Sequence, residues 1–207
     1  MILWKPFVVS CVIFSLILTA CDQPKAKQKH NNRDLLTKSD QPIAFKKRTL
    51  GYIKRPKDLS IYVCEGIEFQ LQDRIMLHKE YSAEFIKKTL SELPESLQNV
   101  YATCYVESEL KEISFKDYYE INQGFLGPEA IKGYVAFDAE DQERILTKFF
   151  ELIAKKPKTD QEQKALWTSF KKLDQLWENQ DKQVLHNHRG EYARKQFDAK
   201  AWPIKEQ

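Results

Sequence analysis

A short apolar segment near the N-terminus, ending at a cysteine, limits how much of this chain can fold as one body. Lys5 precedes the segment, residues 7–18 are almost entirely apolar, and small residues lead up to Cys21. A run of about 12 apolar residues is too short to cross a bilayer, which requires about 20. A positive residue, a short apolar core and small residues before a cleavage point are typical of a secretory signal. We therefore expect residues 1–20 to be removed as a signal peptide, leaving 187 of the 207 residues.

The four residues that close this segment, Leu18-Thr19-Ala20-Cys21, resemble the lipobox of bacterial lipoproteins. The resemblance implies that Cys21 becomes the new N-terminus and carries a diacylglyceryl group, together with a further acyl chain such as palmitate. Two or three chains hold a protein on a membrane far more firmly than one chain does. The expected localisation is therefore the cell envelope, facing the periplasm or the exterior. A transmembrane helix, or an ordinary secretory signal that leaves a free Cys21, are the alternatives.

The residue after the cysteine bears on which membrane is used. In enteric bacteria, an aspartate such as Asp22 after the lipidated cysteine implies retention in the inner membrane. Other lineages read later positions, so inner and outer membrane both stay open.

Residues 21–48 are predicted to form a disordered basic tether. Residues 22–48 contain eight basic and three acidic residues, and residues 22–40 have no hydrophobic period, a composition that buries too little apolar surface to fold. A polybasic segment beside a membrane is attracted to anionic headgroups; a solvated linker is the alternative. Residues 49–207 carry a small net negative charge, so the sequence predicts no basic face for nucleic acid.

Residues 49–138 are predicted to form a β-rich domain. Apolar residues alternate with polar ones at Leu59, Ile61 and Val63 and again over residues 100–106, a period typical of strands. Ser82 is placed as the N-cap of one helix, which Pro94 should end. We expect a small antiparallel β-sheet or barrel-like domain with this one helix.

Two cysteines of the mature chain besides the anchor, Cys64 and Cys104, are expected to form a disulfide. Outside the cytoplasm paired cysteines usually oxidise. The strand interpretation contains one conflict, because Cys104 falls on the aliphatic face of its strand whereas Cys64 falls opposite Ile61 and Val63. A bulge at Gly66 would be needed to bring the two sulfur atoms together.

The segment Cys64-Glu65-Gly66-Ile67 resembles the cysteine-glycine-isoleucine turn of envelope-stress and copper-resistance lipoproteins, which have small β-barrel domains. Those proteins carry another cysteine three residues earlier, where this chain has Ile61. The resemblance implies a β-barrel domain, and the departure removes the redox motif.

Residues 139–207 are predicted to form a C-terminal antiparallel helical hairpin followed by a loose tail, which makes the fold class α+β. Apolar residues recur at helical spacing on both sides of Pro157, and Thr159 to Glu162 is a capping box. Because exposed aromatic residues often mark interfaces, Trp167 and Trp177 are candidates for a partner surface. A buried core between the two helices is the alternative.

Few residues point to chemistry. His186 and His188 are the close histidine pair and, with Glu191, are weak candidates for a metal site. Glu107 and Glu109 would share a strand face as a hydrolase carboxylate pair might, although a solvated face explains them more simply.

The sequence contains no nucleotide-binding, esterase or zinc-protease motif. We therefore expect a lipid-anchored envelope protein with a binding, scaffolding or sensing role toward an envelope partner, without catalytic residues or cofactor. Metal capture and a cell-wall hydrolase without a recognisable motif are the alternatives.

Overall fold

The structure is a computed structural model that describes residues 43–80 and 82–206. The predicted signal peptide, Cys21 and most of the predicted tether lie outside the described residues. Within the described ranges, no helix combines the length and the apolar character that crossing a bilayer requires.

The described residues form nine helices and one pair of very short strands. The helices are α1 (Lys47–Tyr52), α2 (Pro56–His78), α3 (Ala83–Ser91), α4 (Glu95–Glu112), α5 (Phe115–Asn122), α6 (Gly127–Ala136), α7 (Glu140–Ile153), α8 (Asp160–Glu178) and α9 (Lys182–Asp198). The strands are β1 (Phe45–Lys46) and β2 (Ile204–Lys205), which pair in parallel. The α+β prediction, with an antiparallel sheet or barrel over residues 49–138, is therefore wrong, because this part of the chain is helical.

Helix α2 shows why the strand prediction failed. Its buried apolar residues recur every fourth position, and they are Leu59, Val63, Ile67, Leu71 and Ile75. That spacing lines one face of a helix. Ile61 is 42% exposed and Phe69 is 68% exposed, and these two exposed apolar residues produced the alternation that suggested a strand. The tetrad Cys64-Glu65-Gly66-Ile67 also lies inside α2, so the β-barrel implied by the resemblance to copper-resistance lipoproteins is wrong.

Helix α4 occupies the centre of the body. It packs against α2, α3, α5, α6 and α9, and Leu97, Val100, Tyr101 and Val106 are buried on different sides of it. A helix that buries residues on several sides, polar ones included, shows no single apolar stripe in its sequence. The alternation of residues around Cys104 therefore suggested a strand.

Helix-capping residues and proline predicted the helix ends more reliably than hydrophobic periodicity predicted the type of element. Ser82 caps α3, since its hydroxyl accepts a hydrogen bond from the backbone N–H of Phe85, and Pro94 separates α3 from α4. The predicted capping box opens α8: Thr159 Oγ1 accepts from the Glu162 N–H, and the Glu162 carboxylate accepts from the Thr159 N–H. These predicted signals are confirmed.

The C-terminal helices belong to the same body as the preceding ones. Helix α7 packs against α8 but also against α6, and α9 packs along α2. Residues 186–207, predicted to be a short helix and a loose tail, instead form most of the 17-residue helix α9 and a buried end. Trp202 is 4% exposed, its Nε1 donates to Ser96 Oγ at 2.6 Å, and β2 pairs with β1. Residues 43–48, assigned from sequence to the tether, contain this strand β1 and the buried Ile43 and Phe45.

Candidate functional site

A half-open cleft of about 490 Å³ lies where α2, α4 and α9 meet the ends of α7 and α8. Its walls combine three kinds of group: an ionic cluster, a disulfide and the edge of the aromatic core. The residues that matter most for its chemistry are Cys64, Cys104, Glu107, Trp177, His186 and Arg189.

Arg189 is the centre of the ionic cluster. Its side chain is 3% exposed and is held from three sides. Nε donates to Ser60 Oγ on α2 at 2.8 Å, and Nη1 donates to Thr103 Oγ1 on α4 at 3.2 Å. Nη1 and Nη2 together form a bidentate contact with the Glu107 carboxylate, the second bond at 3.2 Å. Such a fork is the strongest geometry available to a guanidinium and a carboxylate.

Gly190 explains how α9 comes close enough to α2 for this contact. A Cβ at position 190 would lie 1.8 Å from the carbonyl oxygen of Pro56. Only glycine fits where a helix backbone touches another backbone so closely. Gly190 therefore lets α9 approach α2 closely enough for the guanidinium of the preceding Arg189 to reach the core.

Glu107 is ionised in this cluster. Burial opposes its ionisation, but the charge of Arg189 and the hydrogen bonds from His186 and Arg189 outweigh burial and lower the pKa of Glu107. His186 Nε2 lies 3.3 Å from Glu107 Oε2. The carboxylate thus accepts from two residues of α9, one turn apart on that helix, and fixes the side-chain position of His186.

The buried Tyr134 lies next to the ionic cluster. Tyr134 on α6 is fully buried, and within the described residues its hydroxyl has no hydrogen-bond partner. Burial raises its pKa well above the ordinary value, so the phenol stays neutral. Its ring meets Trp177 edge-on, at a centroid distance of 6.3 Å.

The arrangement suits recognition better than proton transfer. A carboxyl group that acts as a general acid must hold its proton near neutral pH, whereas the pKa of Glu107 is lowered and its carboxylate is already paired. The cleft instead offers fixed hydrogen-bonding groups beside an aromatic edge, which is the usual composition of a binding pocket.

Of the predicted metal candidates, the structure brings only His186 into the cleft. His186 and His188 lie two residues apart on α9, and residues two apart on a helix point to different sides. In the part of the chain that the structure describes, no three His, Cys, Asp or Glu residues are grouped so as to hold a metal ion. The predicted set of His186, His188 and Glu191 is therefore not assembled.

The predicted carboxylate pair is also separated. Glu107 and Glu109 both lie on α4, and the same helical geometry turns them apart. Glu109 accepts a hydrogen bond from Asn122, while burial raises its pKa.

The two tryptophans predicted as a partner surface have different environments. Trp177 is 5% exposed and packs edge-on against Phe115 and Tyr134, so it is a core residue whose edge borders the cleft. Trp167 is half-buried and packs against Phe170 at a centroid distance of 5.5 Å. Trp177 is therefore not an exposed aromatic residue, and only its edge at the cleft is open to a partner.

The cysteine pair forms one wall of the cleft. Cys64 of α2 and Cys104 of α4 are joined by a disulfide with a Cα–Cα distance of 6.0 Å. Because both cysteines lie on helices, no bulge at Gly66 is required. Gly66 instead gives room to the ring of Phe45, whose Cε1 would lie 2.8 Å from a Cβ.

Sequence reasoning missed Arg189, Ser60 and Thr103. Arg189 lies in a polar stretch that was assigned to the tail, and a lone arginine or serine carries no motif. The available signal was Gly190, because a glycine inside a helical stretch often has a packing reason.

Comparison with known proteins supports a family and nothing finer. No curated protein matches the chain, and no solved structure matches it. The family model for DMP19-like protein matches residues 91–201, which run from the end of α3 past α9 and include Glu107, His186 and Arg189. Because that match covers more than half of the sequence, the chain belongs to the DMP19-like protein family.

Proposed function

We propose that this protein is an exported, lipid-anchored binding protein of the bacterial cell envelope, attached to the membrane through Cys21. The sequence basis is the lipobox-like Leu18-Thr19-Ala20-Cys21 at the end of a short apolar segment. The binding activity is assigned to the cleft around Arg189.

The observation that carries the export part of the proposal is the covalent link between Cys64 and Cys104. Disulfides form and persist in oxidising compartments and are rare in the bacterial cytoplasm. The two cysteines come from different helices and are 40 residues apart in sequence. The expected export signal and the long-range disulfide both support an oxidising compartment.

The cleft supports binding of a protein partner. Two exposed lysines, Lys111 and Lys182, and one exposed carboxylate, Glu65, lie at its rim. The amides of Gln142 and Gln180 approach each other at 3.4 Å. Amide groups pair with a peptide backbone, and the lysines attract carboxylates. A partner segment with acidic side chains fits this lining.

Growth with labelled palmitate tests the anchor. Wild-type protein should carry the label and remain on membranes until detergent is added, whereas Cys21→Ala should carry none. Cys11→Ala is the matched control, because Cys11 lies within the apolar segment and leaves with it. An unlabelled wild-type product that washes off membranes without detergent would refute the anchor.

Affinity capture from detergent-solubilised envelopes tests the cleft. Tagged wild-type protein should retain a partner that the rim variant Lys111→Glu/Lys182→Glu loses. The control variant Lys155→Glu/Lys171→Glu changes two exposed lysines of the α7–α8 region and should retain it. Equal capture by all three proteins would show that the cleft is not the binding site.

A further inference from the structure

The N-terminal end of the folded body carries a dense basic surface that the cleft does not use. Residues 46–57 contain six basic residues and no acidic one. These residues, here called the basic surface, are Lys46, Lys47, Arg48, Lys54, Arg55 and Lys57. All are exposed except Lys57, which is half-buried.

The backbone that carries this surface is fixed. Arg194 of α9 donates to the carbonyl oxygen of Leu50 at 3.1 Å and also to that of Ile53, so α1 is held on α9. The start of α2 is pressed against Gly190 at the Pro56 carbonyl. The basic side chains therefore project from a backbone that is held in place, namely β1, α1 and the first turn of α2.

Among the residues that the structure describes, two acidic groups pair with the basic surface. Arg55 pairs with Asp58 at 2.6 Å. Lys47 is 3.9 Å from Glu206, and these two side chains are 60% and 87% exposed. Exposed pairs of that kind contribute little. The surface therefore keeps most of its positive charge.

An aromatic residue lies within the basic surface. Tyr52 is 68% exposed, and the guanidinium of Arg48 lies 5.7 Å from the centre of its ring. A tyrosine has an apolar body and a polar tip, and such side chains favour the interface between lipid and water. Basic residues around an exposed aromatic ring are typical of proteins that lie on anionic membranes.

We propose that the basic surface rests against the anionic phospholipid headgroups of the membrane that holds Cys21. This inference depends on the lipid anchor proposed above. Ile43 is separated from Cys21 by 21 residues, and a fully extended chain of that length spans at most roughly 75 Å. The attached end of the body is thus the end that carries the positive charge. Its binding to headgroups turns the opposite side of the body toward the aqueous space.

Lysine reactivity on vesicles tests this orientation with the full lipidated protein. The protein is placed on vesicles of phosphatidylcholine, or of phosphatidylcholine with phosphatidylglycerol, and treated with a lysine-acylating reagent. On anionic vesicles Lys47, Lys54 and Lys57 should react several-fold more slowly than on neutral vesicles. Each basic group near an anionic surface favours the bound form by about fivefold. Lys155 and Lys171, in the α7–α8 region, should react equally on both.

A charge-reversal pair supplies the matched control. Lys47→Glu/Lys54→Glu should abolish the protection of Lys57, and Lys155→Glu/Lys171→Glu should leave it intact. Co-flotation with neutral vesicles reports the anchor separately. The protein could fail to co-float with neutral vesicles while its lysines remain protected on anionic vesicles. That result would refute the lipid anchor and support headgroup binding by the basic surface.

Two results would overturn the proposal. One is equal reactivity of the basic-surface lysines on anionic and neutral vesicles. The other is stronger protection of the same lysines by duplex DNA than by anionic vesicles at equal phosphate concentration, which would make the surface a nucleic-acid site.

Discussion

Removing the charge of Arg189 should destabilise the body more than most single changes, because it leaves a carboxylate without its partner inside the protein. The Arg189 side chain is 3% exposed and that of Glu107 is 17% exposed. Breaking a buried ion pair by removing one partner costs about 3–5 kcal/mol. For a chain of this size each kcal/mol lowers the melting temperature by about 2–4 °C. Arg189→Met should therefore lower the melting temperature by about 6–20 °C.

Urea and thermal unfolding of four proteins measure this effect: wild type, Arg189→Met, the double variant Arg189→Met/Glu107→Leu and the control Lys195→Met. Lys195 lies on the same helix as Arg189 and is exposed, so its replacement should change stability by less than about 0.5 kcal/mol. The double variant should recover most of the loss, because replacing a buried pair by apolar residues is often neutral or stabilising.

The same series has a defined pH dependence. In the wild type the pKa of Glu107 is lowered by the net effect of Arg189 and His186 over burial. The stability that ionised Glu107 contributes to the folded protein is fully present above the pKa that this residue has in the unfolded state. It is lost as pH falls through the lower pKa of the folded state. In Arg189→Met the guanidinium charge that lowered the pKa of Glu107 is gone. Burial should therefore raise the pKa of Glu107 in this variant.

The deficit of Arg189→Met should therefore be largest near neutral pH and shrink on acidification, since the folded variant can then protonate Glu107. The reasoning would be refuted by a deficit that is constant between pH 7 and pH 4. It would also be refuted by a double variant that is no more stable than the single one.

Three further changes and one control address the packing of the body. Replacing Cys64 and Cys104 by alanine should lower the free energy of unfolding by about 2–5 kcal/mol, because their bond closes a long loop; equal urea midpoints for the oxidised protein and the variant would contradict this. Gly190→Ala should cost about 1–3 kcal/mol or more through overpacking against α2. Gly51→Ala, whose Cβ meets nothing within 4 Å, should be neutral or slightly stabilising in the same thermal assay. Trp202→Ala should cost about 3–5 kcal/mol, and a change below about 1 kcal/mol would show that the C-terminal end contributes little to the core.

The helix boundaries marked by capping side chains were predictable from sequence, because a cap depends on neighbours a few residues away. Ser82 and Thr159 accept hydrogen bonds from backbone groups three residues later. These interactions need no tertiary contact. The helices they begin were predicted at the right places.

The helical nature of α4 was not predictable from periodicity, because tertiary contacts decide which of its residues are buried, whereas in α2 the exposed Ile61 masked an apolar spacing of four residues. Helix α4 has neighbours on many sides and buries even Asn99 and Thr103. In α2, the polar Ser60 is buried because Arg189 donates to it. The conflict over the position of Cys64 was the one internal sign that a strand was the wrong element, since a helix removes it without a bulge.

If the proposed binding role of the cleft holds, the ion pair should contribute more to recognition than to folding. Desolvation of Arg189 and Glu107 offsets most of their attraction, and apolar side chains of similar volume often stabilise equally well. The pair instead fixes His186 at the cleft and keeps charge beside the disulfide. Stability and binding then separate in Arg189→Met/Glu107→Leu, which should unfold near the wild-type urea concentration and yet lose the captured envelope partner. Full capture by this folded variant would assign the pair to packing alone.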